Sequence, residues 1–245
     1  MRFSLLAFAT LLAVALLVSA TRSGGSAPKP RLAVVHPLRA STPSGREEST
    51  AHRAARDGVS ARGSRTQPSP GSLPQTHVLP SGTTAQFRSL MGSLWSGIVS
   101  GRLAPALPAF FPRGAYVQLK AIASAGSDWS DRLVHDYGLD IAAAHALLGR
   151  GAAAARLLAV DVPSGYGHWV PPGVCYNDIG YYEVPNSRVV YREQGRTRSF
   201  GIASMISWRG VWYVVHLGAI LRSSDTGVVD EPALGRGSPA YSGTC

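Results

Sequence analysis

The sequence predicts an α+β domain, with N-terminal helices packed on a C-terminal antiparallel meander sheet. Three observations carry this. Apolar residues recur at helical intervals across 87–98 and again across 139–148. Beyond residue 180, β-branched and aromatic residues dominate the segments 180–184, 188–193, 197–208 and 211–221. Turn-forming pairs separate those segments: Pro185-Asn186, Gln194-Gly195 and Arg209-Gly210. Helices first and strands after is the α+β order.

Taken from the start, the chain opens with Met1-Arg2, then an apolar run over 3–18 interrupted only by Ser4 and Thr10. Val18-Ser19-Ala20 offers a small-residue cleavage site, so residues 1–20 read as a secretory signal peptide. The competing reading is a retained anchor, although the run is shorter than the ~20 residues a span requires. No cysteine follows the run, which excludes lipidation there. Residues 21–80 are rich in Ser, Pro, Gly, Ala and Arg and contain no aromatic residue. Such a stretch cannot bury enough surface to offset its ordering entropy and reads as a disordered linker. It is either a spacer or a basic arm touching anionic membrane or wall surfaces.

A globular domain is expected over 81–230, followed by a tail over 231–245. Thr83 with Gln86 has capping-box spacing ahead of the first helix, and Gly101 is placed to end it. Leu103, Leu107, Phe110 and Phe111 suggest a short helical turn interrupted by Pro105 and Pro108. Residues 116–122 alternate enough for a strand, and Asp128 or Ser130 is placed to cap a helix continuing to 148. Residues 156–162 are β-prone, and 165–173 read as loop.

Two-residue turns fix a register. With turns at Gln194-Gly195 and Arg209-Gly210, Val189, Tyr191, Phe200, Ile202, Ile206, Trp208, Val211, Tyr213, Val215 and Leu217 share the core face. Ser204 then faces Val215. The opposite face mixes Arg188, Arg192, Met205, Trp212 and His216, and these five are the candidate binding residues. The competing reading is that the C-terminal tail covers that face.

The net charge of +10 is unevenly placed. Residues 21–80 hold nine basic and three acidic residues, whereas 81–245 hold fourteen and eleven. The domain is nearly balanced, which argues against nucleic acid as a partner despite Arg188, Arg192, Arg196 and Arg198 on one hairpin. Only two of the twenty-four basic residues are lysines, Lys29 and Lys120, an arginine preference expected of a GC-rich coding sequence. Cys175 and Cys245 are the two cysteines, and in an exported chain they are expected to pair. The sharper alternative is a nucleophilic Cys175 assisted by His168 or His216.

Catalytic motifs are mostly excluded. Gly201-Ile202-Ala203-Ser204-Met205 fails the nucleophile-elbow pattern. The domain's histidines, His135, His145, His168 and His216, are scattered, so neither a metal nor another cofactor is expected. Asp128, Asp131, Asp136 and Asp140 read as capping and first-turn acids. Glu183 and Glu193 could form a cavity acid pair.

Several stretches carry a resemblance: 110–120, Trp169-Val170-Pro171-Pro172-Gly173-Val174-Cys175, 199–204, and 212–218. Through them, residues 84–230 resemble a family of exported actinobacterial proteins of unknown function. Helices before a curved meander are also similar in order to the nuclear-transport-factor-2-like cone, a fold that hosts both enzymes and binding modules. The expected function is a secreted or membrane-tethered, non-catalytic binding or cell-envelope module, its partner a protein or an envelope component. The alternative is a small-molecule enzyme or ligand carrier with a cone-like cavity. An enclosed pocket with a histidine or carboxylate at its base favours the second, and a shallow apolar patch around Trp212 and Met205 favours the first.

Overall fold

The computed structural model describes residues 68–239, all within the compact unit Arg62–Cys245. Residues 1–67, where the signal peptide and most of the linker are expected, and Cys245 lie outside the described residues. The described part is α+β, helices followed by a six-stranded antiparallel sheet. Among the described residues, no helix is long and apolar enough to cross a membrane.

Helix α1 (Ala85–Ser100) is capped one residue later than its sequence suggests. Thr84 is the N-cap, its Oγ1 accepting from the Phe87 amide at 3.1 Å. Gly101 ends the helix at φ 64°, a conformation cheap only for glycine. Phe87, Met91, Leu94 and Ile98 form its buried stripe, each worth roughly 1.5–3 kcal/mol on transfer from water. The short helix α2 (Leu103–Ala106) and a 3₁₀ turn come next, as the prolines required.

The strand expected over 116–122 is a helix, α3 (Arg113–Leu119). Ala115, Tyr116 and Leu119 are its buried residues, a spacing of one and four that serves one helical face and defeats the alternation reading. The next helical region is continuous but not uniform. Helix α4 (Ala125–Asp128) runs through a π-helical turn (Trp129–Leu133) into α5 (Val134–Leu148). Asp128 caps nothing; it receives both Nε and Nη2 of Arg132, at 2.8 and 2.6 Å.

The sheet is built around one long hairpin, β3 (Tyr181–Glu193) with β4 (Arg196–Trp208). Strand β1 (Arg156–Asp161) and the short β2 (His168–Val170) both pair with β3, at opposite ends of it. Strand β5 (Val211–His216) and β6 (Asp230–Leu234) likewise divide β4 between them. Pro185-Asn186, expected to be a turn, lies inside β3. Strand β2 reaches only Glu183 and β1 begins only at Arg188. Pro185 therefore lies in a stretch of β3 that pairs with β4 but with neither β1 nor β2. The two predicted hairpin turns are present, with positive φ at Gln194 (49°), Gly195 (76°), Arg209 (53°) and Gly210 (75°).

The predicted core face packs on the helices through aromatic contacts. Phe111 meets Trp208 and Tyr213 edge-on, Trp95 lies 5.4 Å from Tyr191, and Phe110 stacks on Tyr137 at 3.7 Å.

Two margins of the domain differ from expectation. Upstream of Ser81, a strap crosses the sheet: Trp208 Nε1 donates to the Pro70 carbonyl at 2.9 Å. Gln75 bridges the Ser207 carbonyl (2.9 Å) and the Arg209 amide (2.7 Å). Downstream, β6 carries the sheet past residue 230. It fits because residue 201 is glycine, where a Cβ would lie 2.1 Å from Asp230 Oδ2.

Candidate functional site

One irregularity in the sheet builds the site. Strands β4 and β5 keep the expected register at Trp208↔Val211 and Ile206↔Tyr213. Between Met205 and Ser204 the register shifts, so that Ser204 pairs with His216 instead of Val215. A bulge adds one residue to one strand and moves the residues beyond it to the other face. His216 therefore leaves the Met205–Trp212 face, where simple alternation put it, and joins Ser204 on the helix-facing side.

There it lines a partly open cavity of about 100 Å³. Strand β3 contributes Tyr181 and Glu183, β4 contributes Ser204 and Ile206, and β5 contributes Val215 and His216. Helix α3 and its end supply Tyr116 and Lys120, the π turn supplies Arg132 and Leu133, and the loop before β3 supplies Cys175. That loop is clamped to the end of α3 by two backbone bonds, Ala121 N to Tyr176 O and Asp178 N to Leu119 O, both 2.8 Å.

The polar groups are interlinked. Ser204 Oγ donates to Glu183 Oε1 at 2.7 Å. Lys120 Nζ donates to the Cys175 carbonyl at 3.0 Å. Tyr116 donates its phenolic proton to Asp128 and accepts from Arg132 Nη2 at 3.1 Å. Among the described residues, the His216 ring has no hydrogen-bond partner, which leaves both nitrogens available to the cavity.

Burial sets the proton affinities. It pulls His216 down to about 4, helped by the positive charges of Arg132, Arg222 and Lys120, so its imidazole is neutral at physiological pH. Burial lowers Lys120, and Arg132 lowers it further. Burial, then Glu183, pushes the Tyr181 phenol up to about 12, against the bond from Asn177. The Tyr116 phenol is raised by burial and by its bond to Asp128. Both phenols remain hydrogen-bond donors.

The other sequence-derived candidates fall elsewhere. Met205 and Trp212 are buried, at 0% and 1% exposure, so no open apolar patch surrounds them. Arg188 is also buried; it donates to Ser199 Oγ and to the Glu231 carbonyl, both at 2.9 Å, and so fastens β6. Arg192 is exposed on β3. Glu183 and Glu193 do not pair: they lie on one strand, ten residues and roughly 33 Å apart. Glu193 instead meets Arg198 at 3.2 Å. His135 contacts Asp225 and His145 contacts the Ile98 carbonyl. Among the described residues, no group of three metal-ligating side chains converges.

Sequence reasoning missed Lys120, Arg132, Tyr116 and Glu183 as one site. One signal was available: Lys120 is the domain's single lysine among fourteen basic residues. A chain that otherwise chooses arginine keeps lysine where a compact point charge is wanted.

A wider groove of about 380 Å³ lies between α1 and β1. Its lining is mainly apolar side chains, and its one acid, Asp161, is bonded to Arg236 at 2.8 Å. The smaller cavity is where polar groups converge. No family model, curated protein or solved structure matches the chain.

Proposed function

We propose that this domain is a binding module that takes up a small polar molecule in the cavity beneath its sheet. The observation that carries the reading is the convergence of Lys120, Glu183, Ser204 and His216 on one partly open space of about 100 Å³. That is about three water volumes, well below the roughly 300 Å³ at which pockets for drug-sized ligands begin. The ligand is therefore a few heavy atoms across.

A second reading is catalytic, as expected of a small-molecule enzyme. The observation in its favour is a neutral imidazole and a carboxyl group lining one cavity. Against nucleophilic use of Ser204, the residue is only 1% exposed.

The place of work in this proposal is outside the cytoplasm. The signal-like residues 1–20 support export, with removal at Ala20 or retention as an anchor. Cys175 and Cys245 form a staple in that environment. The basic linker keeps the domain near an anionic membrane or wall surface. The likeness to exported actinobacterial proteins belongs to the same reading.

A fragment screen observed by amide NMR tests the binding reading. Polar fragments of up to about six heavy atoms should shift the amides of Lys120, Glu183, Ser204 and His216. Shifts confined to the α1–β1 groove, or none at all, would remove the cavity as the site.

A further inference from the structure

A second polar space, of about 230 Å³, lies over the junction of β3, β4 and β6. Asn186 of β3 and Asp230 and Glu231 of β6 supply its polar side chains. Glycine at position 201 lets their oxygens gather. A Cβ there would lie 2.1 Å from Asp230 Oδ2 and 3.0 Å from Asn186 Oδ1. The two oxygens are thus at most about 5 Å apart, a gap that two calcium–oxygen bonds of about 2.3–2.6 Å bridge.

Acceptors outnumber donors in this space. Asn186 is 3% exposed, and among the described residues its Oδ1 has no hydrogen-bond partner. Its Nδ2 donates to Glu231 Oε2 at 3.0 Å. Turning the amide over would only exchange which carboxylate faces its oxygen. Charge is unbalanced in the same direction. Arg188 Nη1 approaches Glu231 Oε2 at 3.8 Å and offsets one acid. At Asp230, repulsion from Glu231 still outweighs the attraction of Arg188. A water molecule can donate to the stranded amide oxygen, but it leaves the repulsion in place. A cation answers both.

We infer that Asn186 Oδ1, Asp230 and Glu231 hold a calcium ion, with water filling its remaining positions. Two carboxylates and an amide oxygen are hard donors, suited to calcium or magnesium. A partial and irregular set favours calcium, which tolerates flexible geometry where magnesium demands a near-ideal octahedron. The expectation of no metal rested on scattered histidines. Here the third donor is an amide, so the site needs no trio of histidine, cysteine or carboxylate ligands. The ion ties β6 to β3 across β4.

Thermal unfolding and calorimetric calcium titration of the full-length protein, stripped with EDTA at neutral pH, test this. The Kd should fall at about 0.1–1 mM, the range of extracellular calcium modules. Calcium at about ten times its Kd should raise Tm by about 3–6 °C. Magnesium should raise it less, and sodium chloride of equal ionic strength not at all. Asp230→Asn keeps the shape and removes one charge. It should weaken calcium at least about tenfold, yet melt no lower than the parent in EDTA, which a merely structural aspartate would not allow. Asp225→Asn, at an exposed acid paired with His135, should leave calcium binding unchanged. A magnesium response equal to that of calcium would overturn the calcium assignment. An equal sodium response would reduce the effect to screening and overturn the site. Undiminished calcium binding in Asp230→Asn would put the ion elsewhere. A flat calcium titration of the parent overturns the site even if a variant fails to fold.

Discussion

His216 gives up most of its proton affinity when the chain folds. Its ring goes from an ordinary 6.5 to about 4, first through burial and then through Arg132, Arg222 and Lys120. The direction of the shift gives the sign for stability. Above about pH 6.5 both folded and unfolded chains hold a neutral ring, and the group is silent. Between about 6.5 and 4 the unfolded chain takes up a proton that the folded ring refuses, so stability falls with acidification. The limit of that loss is about 3 kcal/mol. Asp230 works the other way. Burial and then Glu231 raise it to about 6, against the pull of Arg188, so the folded state gains protons first on the same descent and offsets part of the loss. Denaturant midpoints measured from pH 7 down to 4.5 should therefore fall less steeply in His216→Gln than in the parent. Equal slopes would clear His216 of this role. The sequence named His216 but on the other sheet face, because alternation cannot announce a bulge.

At the scale of elements, the largest unread feature is the role of Asp140 in α5. Its residue type and position suggest a helix-end acid, yet it is 1% exposed and mid-helix. Its two oxygens accept from the Gly218 and Val228 amides, each at 2.9 Å, and one also receives Arg222. One carboxylate thus pins both ends of the segment between β5 and β6. Asp140→Ala strands two amides and a guanidinium, and should cost about 3–5 kcal/mol. Urea unfolding monitored by tryptophan fluorescence would show it; a loss below about 1 kcal/mol would mean the segment is held by other contacts. Helix α1, both hairpin turns and β1 were legible, because each has a local cause in periodicity, a cap or a positive-φ glycine. Helix α3 was not, since at seven residues it is too short for its one-sided burial of Ala115, Tyr116 and Leu119 to repeat and declare a helical period. Strand β2, three residues long, carries too little pattern to stand apart from a loop.

For the whole molecule, the order of helices before sheet was readable from composition along the chain, and so was the core face of the hairpins. The site was not, because it joins α3, the π turn and three strands, contacts that span up to a hundred residues and leave no local mark. The proposed export makes one statement about the entire chain. Protein recovered outside the cell should have the mass of residues 21–245 less two hydrogens, and should gain those two on reduction. Such a staple would contribute on the order of 4 kcal/mol in the chain-entropy account. A mass including the leader would make it an anchor, and an unchanged mass on reduction would dismiss the staple.

The hairpin of β3 and β4 also bears on how the molecule comes together in time. Its thirteen-residue strands are joined by two residues, so every rung forms by local zipping outward from the turn, a microsecond event. The bridge from Phe110 to Val214 must instead close a loop of over a hundred residues, a slower step with a larger entropic barrier. The hairpin can therefore begin to form without the helices, whereas the apolar stripe of α1 is covered only once the sheet is in place.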